Sequence, residues 1–315
     1  MARIAIVGTG FVGRAWAISY ARAGHEITLW DQEASAAAKA LEYIAGVLPD
    51  LAANDLTDGQ APAAILDRLK PVARLAEALE GVDHVQESTP EILEVKRAVF
   101  AKLDQLAAPE AVLASSTSAL LPSAFTEGLP GRQRCLVVHP LNPPYLIPAA
   151  ELVPAPWTSP ETMDRTAGLL RRAGHAPIVM KREIDGFLMN RLQGALLEEA
   201  FRLVADGYAS TEDVDIGLRD GLALRWSFMG PFETIDLNAP GGVRDYVLRY
   251  QQIYSNIFPS TQRRVDWAGP VIETVEADRR KRLPPTDLGR RAVWRDRQLM
   301  ALAAHKRRTR RELGD

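Results

Sequence analysis

The stretch RIAIVGTGFVG, residues 3–13, decides the fold. It opens with a short apolar run, residues 3–7, that is typical of a buried strand, and a glycine loop follows directly. A helix-like run then continues to Gly24, a typical residue for ending a helix, and residues 26–30 form a second apolar run that stops at Asp31. Strand, G-x-G-x-x-G, helix, strand and acid in this order are the full context of a dinucleotide-binding unit.

Each glycine of the loop meets a different steric requirement of such a unit. Gly8 permits the tight turn, Gly10 lets the backbone approach a pyrophosphate at the helix N-terminus, and Gly13 allows helix and strand to pack closely. The predicted cofactor-binding loop therefore comprises Gly8, Gly10, Phe11, Val12 and Gly13.

Asp31 indicates which dinucleotide is bound. Its carboxylate can accept hydrogen bonds from the hydroxyls of the adenosine ribose, whereas a 2′-phosphate would meet it as a like charge. No Lys or Arg follows until Lys39. The sequence therefore favours NAD over NADP as the cofactor.

Strand-like and helix-like runs alternate from residue 3 to residue 181. Further strands are predicted at 71–74, 83–87, 111–115, 134–139 and 176–180, and the helices include 33–48, one opened by Pro90-Glu91, and 159–173. After Lys181 only helices are predicted, at 187–206, 211–221, 230–238, 243–257, 270–282 and 287–310. We therefore expect an α/β fold, in which an N-terminal Rossmann-type, doubly wound, mostly parallel sheet (residues 1–186) is followed by an all-α C-terminal domain (187–315).

A second stretch, residues 137–153, carries the candidate for catalysis. It places His139 and Glu151 at the two ends of a proline-stiffened loop that also contains Asn142. A histidine oriented by a buried carboxylate is a common general base. A structural histidine that caps the strand is the alternative, and these residues alone leave both open.

Hydroxyl side chains cluster at residues 116–118, directly after a predicted strand. Such a cluster either caps a helix or forms a polar wall of a site, and capping is favoured for the cluster on its own. However, Gly10, Ser118 and His139 all fall at strand ends, where ligands bind in doubly wound sheets. This shared position favours a functional His139.

Composition argues against several classes of protein. The net charge is −2, and no uncharged run is long and apolar enough for a membrane span, so neither a nucleic-acid nor a membrane partner is predicted. The one cysteine, Cys135, lies in an apolar run and cannot form an internal disulfide. A strand begins at residue 3, which leaves no room for a signal peptide. We therefore expect a cytoplasmic protein.

Charge is distributed unevenly along the chain. Residues 279–311 carry thirteen Lys or Arg and two Asp, whereas residues 40–67 contain no Lys or Arg. We interpret the basic segment as a solvated helix face whose long side chains cover apolar surface, with an anion or partner site as the alternative.

Five motifs resemble the L-3-hydroxyacyl-CoA dehydrogenase superfamily, over essentially the whole chain. They are GTGFVG at 8–13, ESTPEILEVKR at 87–97, ASSTSAL at 114–120, HPLNPP at 139–144 and DGFLMNRL at 185–192. Three longer runs are most similar to its λ-crystallin and L-gulonate 3-dehydrogenase branch. These are HPLNPPYLIPAAELVP from residue 139, GLALRWSFMGPFETIDLN at 221–238 and RRAVWRDRQLM at 290–300.

The resemblance implies a role for each matched residue and an NAD-dependent oxidation of an L-3-hydroxyl. His139 corresponds to the catalytic histidine, Glu151 to the glutamate that orients it, and Ser118 and Asn190 to side chains that bind the reacting oxygen. The implied contacts to the cofactor outside the glycine loop are Asp31, Glu91, Lys96, Ser116 and Asn142. No metal is implied.

The choice of substrate depends on charge. The resemblance implies that, in the acyl-CoA branch, basic residues on the helical segment after the second strand bind the phosphates of CoA. Here the only charged residues of the segment 40–67 are acidic. This difference favours a free hydroxy acid of the L-gulonate type, whose carboxylate Arg225 is expected to bind. An Arg225 that bridges domains or subunits is the alternative.

Two other functions stay open beside a free-acid dehydrogenase. One is a short-chain L-3-hydroxyacyl-CoA dehydrogenase, or a relative that oxidises L-carnitine. The other is a non-enzymatic, NAD-binding structural protein of the λ-crystallin type, against which the complete set of matched catalytic residues argues. The resemblance also implies a homodimer formed through the helical domain.

Overall fold

The computed structural model describes residues 1–314 and contains an eight-stranded sheet. The strands are β1 (Arg3–Val7), β2 (Glu26–Trp30), β3 (Leu69–Pro71), β4 (His84–Glu87), β5 (Val112–Ser115), β6 (Cys135–Pro140), β7 (Ala149–Pro154) and β8 (Ala176–Val179). Their order across the sheet is β3-β2-β1-β4-β5-β6-β7-β8. The β6–β7 pair is antiparallel and the other neighbouring pairs are parallel, so the predicted mostly parallel, doubly wound sheet is confirmed.

Helices connect most of these strands. They are α1 (Phe11–Arg22), α2 (Ala36–Ala53), α3 (Pro62–Leu66), α4 (Leu75–Ala78), α5 (Leu93–Leu106), α6 (Pro122–Thr126) and α7 (Pro160–Arg172), with a 3-10 turn at Arg132–Arg134. Alternate residues of β1 enter two separate core clusters: Ile4 and Ile6 one of them, Ala5 and Val7 the other. The sheet is therefore covered on both faces, which leaves the carboxyl ends of its parallel strands for a site.

Three predicted boundaries in this region were wrong. The strand expected at 71–74 ends at Pro71. The helix expected at 33–48 continues past Pro49 to Ala53, because Leu48 and Leu51 are fully buried on both sides of the proline and hold the helix on the core. The helix expected to open at Pro90-Glu91 begins only at Leu93, because the Glu91 carboxylate is engaged elsewhere.

The remainder of the chain is helical, as predicted. Its helices are α8 (Met189–Ala205), α9 (Thr211–Ile216), α10 (Ala223–Trp226), α11 (Pro231–Leu237), α12 (Gly242–Thr261), α13 (Val271–Arg282) and α14 (Leu288–Leu313). The helix predicted at 211–221 is divided, because α9 passes into a π-helical turn at Gly217–Leu222.

The described chain forms two compact units. The first comprises residues 1–189 and the C-terminal segment from residue 292, and the second comprises residues 190–291, called the helical unit below. The predicted boundary after residue 186 lies near the first division, but the segment from 292, predicted as part of the C-terminal domain, groups with the sheet. Met300 is buried in the core cluster of the first unit, with Leu299 and Ala303 packed against that cluster. The apolar side of α14 thus completes the core beneath the sheet.

Candidate active site

The glycine loop after β1 leaves no room for side chains at two of its three glycines. Gly8 has a φ of +91°, and a Cβ atom there would lie 2.7 Å from the carbonyl oxygen of Ser88. A Cβ atom on Gly13 would lie 1.9 Å from the carbonyl oxygen of Gly8. Both positions therefore require glycine, for the tight turn and for the close packing of helix on strand.

Gly10 instead faces open space, since a Cβ atom there would meet nothing within 4 Å. It is the N-cap of α1, and within the described chain no side chain caps this helix and no acid occupies its first turn. The first amide N–H groups, including those of Phe11 and Val12, are therefore available to an anion. This arrangement fits the pyrophosphate of NAD.

Asp31 follows β2 and is tied to the glycine loop. Its Oδ2 accepts hydrogen bonds from the amide (2.7 Å) and the hydroxyl (3.2 Å) of Thr9, and its Oδ1 accepts one from the amide of Glu33 at 3.0 Å. A carboxylate has about four acceptor positions, so capacity for a ribose hydroxyl remains. The sequence did not predict that Thr9 holds Asp31, because only the glycines of the motif carry its signal.

His139 and Glu151 lie directly opposite each other in the antiparallel β6–β7 pair. Nδ1 of His139 is 2.6 Å from Oε2 of Glu151, and both side chains are buried. Because a carboxylate only accepts, Nδ1 carries the proton and Nε2 carries the lone pair. Within the described residues Nε2 has no hydrogen-bond partner, so it is the nitrogen that can take a proton from a ligand.

The second oxygen of Glu151 is used as well. Oε1 accepts hydrogen bonds from the amides of Leu188 (2.6 Å) and Met189 (2.8 Å), at the start of α8. Phe187, just before them, is fully buried with a φ of +48°, a conformation that an aromatic residue rarely adopts, and its ring lies 5.5 Å from that of His139. The carboxylate thus fixes the imidazole and the entry to α8 together, and Asn190 is the next residue along the chain.

Glu91 joins the loop after β4 to the loop after β5. Its Oε1 accepts hydrogen bonds from the hydroxyl of Thr117 and, at 3.1 Å each, from the amides of Ser118 and Ala119. The side chain of Ser118 is exposed. Since β5 and β6 are parallel neighbours, Ser118 follows its strand at the same edge of the sheet as His139. Glu91 therefore holds the backbone of the predicted substrate-binding serine.

Lys96 forms a fully buried ion pair with Glu87, the last residue of β4. Its Nζ lies 2.8 and 3.0 Å from the two carboxylate oxygens and 3.0 Å from the carbonyl oxygen of Thr89. The Ser115 hydroxyl donates to the same carboxylate at 2.6 Å. All three protons of the ammonium are thus used inside the protein, and the pair supports the loops after β4 and β5. Sequence reasoning missed the role of Glu87, which ends the predicted strand at 83–87.

Ser116 is held by a buried polar chain. The amide nitrogen of Gln86 donates to its Oγ at 2.7 Å, while the amide oxygen of Gln86 faces the hydroxyl of Tyr20 (3.2 Å) and Nε2 of His84 (3.1 Å). Burial lowers the pKa of His84 to about 4, so this imidazole is neutral. The reverse amide orientation would leave the Tyr20 proton without an acceptor. The Ser116 hydroxyl oxygen therefore accepts a hydrogen bond from Gln86, and its own proton is available to Ser88, 3.0 Å away, or to a ligand.

Two further predicted site residues are exposed. Asn142 lies in the loop between β6 and β7, three residues after His139 in the sequence. Arg225 lies on the short helix α10 of the helical unit. The structure thus gathers the other predicted residues of the first unit at the carboxyl ends of the strands, while Arg225 belongs to the other unit.

The acidic segment after β2 is neutralised by α14. Arg297 pairs with Asp50 at 3.1 Å, Arg307 with Asp58 at 2.9 Å, and Arg311 with Asp55 at 3.9 Å. Such exposed pairs contribute little to stability, but they offset the local charge. The expected repulsion between this segment and a polyanion is therefore weaker than the sequence of residues 40–67 implies. The arginines themselves are already engaged by carboxylates.

Oxidising an alcohol needs a hydride acceptor and a proton acceptor, and the same edge of this sheet offers a place for each. The protein is an NAD-dependent dehydrogenase. Residues 3–184 match the family described as 3-hydroxyacyl-CoA dehydrogenase, NAD binding domain, and residues 186–269 match 3-hydroxyacyl-CoA dehydrogenase, C-terminal domain. The chain belongs to the 3-hydroxyacyl-CoA dehydrogenase family, as its motifs predicted.

Individual relatives extend this finding over the full chain. The λ-crystallin of Oryctolagus cuniculus is 42% identical over 307 residues, which cover 96% of each chain. The L-carnitine dehydrogenase of Pseudomonas putida is 38% identical over 247 residues, 78% of this chain and 76% of the relative. Among solved structures, an NAD+-dependent dismutase, 5-formyl-3-hydroxy-2-methylpyridine 4-carboxylic acid 5-dehydrogenase, superposes with a TM-score of 0.82 at 25% identity, covering 96% of this chain and 97% of its own.

No helix in the described part of the chain combines the length and the apolar character needed to cross a bilayer.

Proposed function

We propose that the protein oxidises the 3-hydroxyl of a free L-3-hydroxy acid, of the L-gulonate type, to the 3-keto acid. The observation that carries this proposal is the His139–Glu151 pair, in which a buried carboxylate holds the imidazole at 2.6 Å and leaves Nε2 free to take a proton. That geometry is the one a general base needs. It lies at the edge of the sheet that also carries the cofactor loop.

The side chains divide the reaction between them. Nε2 of His139 takes the proton of the substrate hydroxyl, and Glu151 stabilises the imidazolium that forms. Ser118 and Asn190 donate hydrogen bonds to the oxygen as negative charge develops on it. When bound by the glycine loop and Asp31, NAD+ supplies the hydride acceptor. In the reverse direction the same histidine protonates the reduced ketone.

Ser116 and Asn142 are proposed to contact the nicotinamide half of the cofactor, and Glu91 and Lys96, predicted as direct contacts, are proposed to act by supporting the loops around it. Ser116 is proposed to donate a hydrogen bond there, because Gln86 already supplies one to its oxygen. Glu91 and Lys96 support the same region through the loops after β4 and β5. Asn142 completes the set, from the loop that follows His139.

A free acid is favoured over a CoA thioester on two grounds. The arginines of α14 that reach the acidic segment are engaged by Asp50, Asp55 and Asp58 and are poorly placed to bind phosphates as well. Among the relatives, L-carnitine and the pyridine 4-carboxylic acid are both free acids by name. The carboxylate of such a substrate needs a cation, and Arg225, exposed in the helical unit, is the candidate that the sequence provides.

Two alternatives rest on specific relatives. The 3-hydroxybutyryl-CoA dehydrogenase from Escherichia coli is 29% identical in structure-based comparison and covers 75% of this chain, which favours a short-chain acyl-CoA substrate. The λ-crystallins favour a structural protein that binds NAD without turnover. The intact His139–Glu151 pair argues against the second alternative.

The test of the proposed function is NADH production by the purified protein. L-Gulonate, L-3-hydroxybutyrate, L-carnitine and L-3-hydroxybutyryl-CoA are offered in parallel, and a higher kcat/KM is expected for a free acid. Preference for the thioester by orders of magnitude would replace the proposal with the acyl-CoA activity. NAD binding without turnover of any of the four would support the structural role.

We also propose that the protein is a homodimer. The helical unit exposes many large apolar side chains, with Phe232 80% and Leu248 78% accessible, and apolar exposure of this extent is typical of an interface. The exposed apolar residues of this unit include Leu224, Phe228, Phe232, Leu237, Leu248, Ile253 and Phe258. Sedimentation equilibrium at micromolar concentration is expected to give twice the chain mass of 34.6 kDa. Leu248→Glu is expected to shift the equilibrium towards monomer, and a wild-type monomer would contradict the proposal.

A further inference from the structure

The guanidinium of Arg14 lies beside the N-terminus of α1, where the glycine loop ends. Arg14 comes four residues after Gly10, and its amide donates to the Gly10 carbonyl oxygen at 3.1 Å, so the two residues share one side of the helix. Helical side chains lean towards the N-terminus, and Cζ of Arg14 is 5.7 Å from the centroid of the Phe11 ring. The cation is therefore held next to the first turn of α1, whose amides are open to an anion.

Two tyrosines fix the position of this side chain. Cζ of Arg14 lies 3.6 Å from the centroid of the Tyr43 ring on α2, a distance at which a guanidinium rests against the face of the ring. The hydroxyl of Tyr43 lies 3.2 Å from that of Tyr145, which is buried in the loop between β6 and β7. Tyr43 is thus anchored at its hydroxyl, and its ring holds Arg14 between α1 and α2.

Stacking leaves the hydrogen bonds of this guanidinium unused. Its five N–H groups lie in its own plane, whereas an aromatic ring contacts its face. Nε of Arg14 is buried without a hydrogen-bond partner, and none of the described residues accepts a hydrogen bond from the terminal nitrogens or forms an ion pair with them. The terminal nitrogens are not buried, so a ligand can reach them. A fixed, partly desolvated cation of this kind is prepared to bind an anion.

The pyrophosphate of NAD carries more charge than the glycine loop balances. It has two negative charges, whereas a helix N-terminus provides about half an elementary charge. Arg14 is the only Lys or Arg from residue 4 to residue 21, and Lys96 uses all three of its ammonium protons on Glu87 and Thr89. We infer that Arg14 binds the pyrophosphate of the cofactor and adds a charge-assisted contact to the amides of α1. This inference depends on the cofactor and holds whichever alcohol the enzyme oxidises.

The test measures binding to the full-length protein without turnover. Arg14→Met removes the charge and keeps an unbranched side chain against the Tyr43 ring. Its dissociation constants for NADH and for ADP-ribose, measured by calorimetry, are expected to exceed those of the wild type by about ten- to a hundredfold, because hydrogen bonds to a charged group are lost. ADP-ribose contains the pyrophosphate and lacks the nicotinamide, so it separates this contact from those around the nicotinamide.

Two further variants and a salt series act as controls. Arg14→Lys keeps the charge without the planar fork, so its dissociation constants are expected to lie between those of the wild type and Arg14→Met. Arg165→Met is the matched control, and both of its constants are expected to equal those of the wild type. Arg165 donates to the carbonyl oxygen of Glu110, just before β5 and thus at the opposite edge of the sheet from the glycine loop. The difference between wild type and Arg14→Met is expected to narrow at about 1 M salt, where the screening length is about 3 Å.

A purely structural Arg14 would give a different result. If Arg14 only joined α1 to α2, Arg14→Met would lower the midpoint of urea denaturation and leave both dissociation constants unchanged, which would overturn the inference. Normal binding of ADP-ribose together with a raised KM for L-3-hydroxybutyrate would also overturn it, because that result would assign Arg14 to the substrate carboxylate. A wild type that binds ADP-ribose through Arg14 but oxidises none of the four substrates would contradict the proposed function alone.

Discussion

Replacing His139 with asparagine is expected to lower kcat by about 10²- to 10⁴-fold, the usual contribution of a general base. An asparagine amide can occupy the position of Nδ1 and keep the hydrogen bond to Glu151, but it has no group that takes a proton at the position of Nε2. The affinity for NAD+, measured by fluorescence titration, is expected to remain that of the wild type. Steady-state NADH production gives kcat.

The matched control is His175→Asn. His175 is also buried, and its nitrogens lie 2.6 Å from the Ser19 hydroxyl and 3.0 Å from the carbonyl oxygen of Pro148, so it contacts no predicted site residue. This variant is expected to lose stability and to retain kcat. Equal loss of kcat in both variants would show that the effect of His139→Asn comes from the fold, and an unchanged kcat in His139→Asn would remove His139 from the mechanism.

The largest loss of stability is expected for Lys96→Met. The substitution leaves the Glu87 carboxylate buried without its cation, and removing one partner of a buried pair costs about 3–5 kcal/mol. Urea denaturation followed by circular dichroism measures the change. Because Glu87 also holds Thr89 and Ser115, the loops after β4 and β5 are expected to loosen, and the KM for NAD+ is expected to rise.

Two further variants sharpen this prediction. Lys102→Met removes an exposed lysine from the same helix, α5, and is expected to change the free energy of unfolding by no more than about 0.5 kcal/mol. The double variant Glu87→Leu, Lys96→Met removes both charges and is expected to recover much of the lost stability. A Lys96→Met protein as stable as the wild type would contradict the view that the pair holds the loops.

The fold followed from local signals. Residues 3–31 combine a strand, a glycine loop, a helix and a second strand in one short stretch, and every part of that signal lies within about thirty residues. Local signals did not show that most of α14 groups with the first unit rather than with the helical unit. Basic residues dominate the sequence of residues 279–311, with thirteen Lys or Arg and two Asp, whereas the apolar group formed by Leu299, Met300 and Ala303 finds its partner core only in three dimensions.

The same distinction applies to the site. His139 and Glu151 are joined by a short hairpin, so their proximity was predictable from a single stretch. The buried chain around Gln86 was not, because Tyr20 and Ser116 lie 66 and 30 residues away from it in the sequence. Glu91 was placed in a first helical turn by its position after a proline, but its bonds to the loop after β5 determine where it lies. Contacts of this kind are decided by sheet order, which no local pattern encodes.

The return of α14 to the first unit has a consequence for how the protein is made. A ribosome releases residues 1–189 first, at about 5–20 residues per second, and then the whole helical unit before Met300 emerges. The nascent sheet therefore waits on the order of ten seconds for the last side chains of its own core. The first unit thus begins synthesis first and is completed last. The helical unit is an insertion in the sequence between the two segments of the first unit.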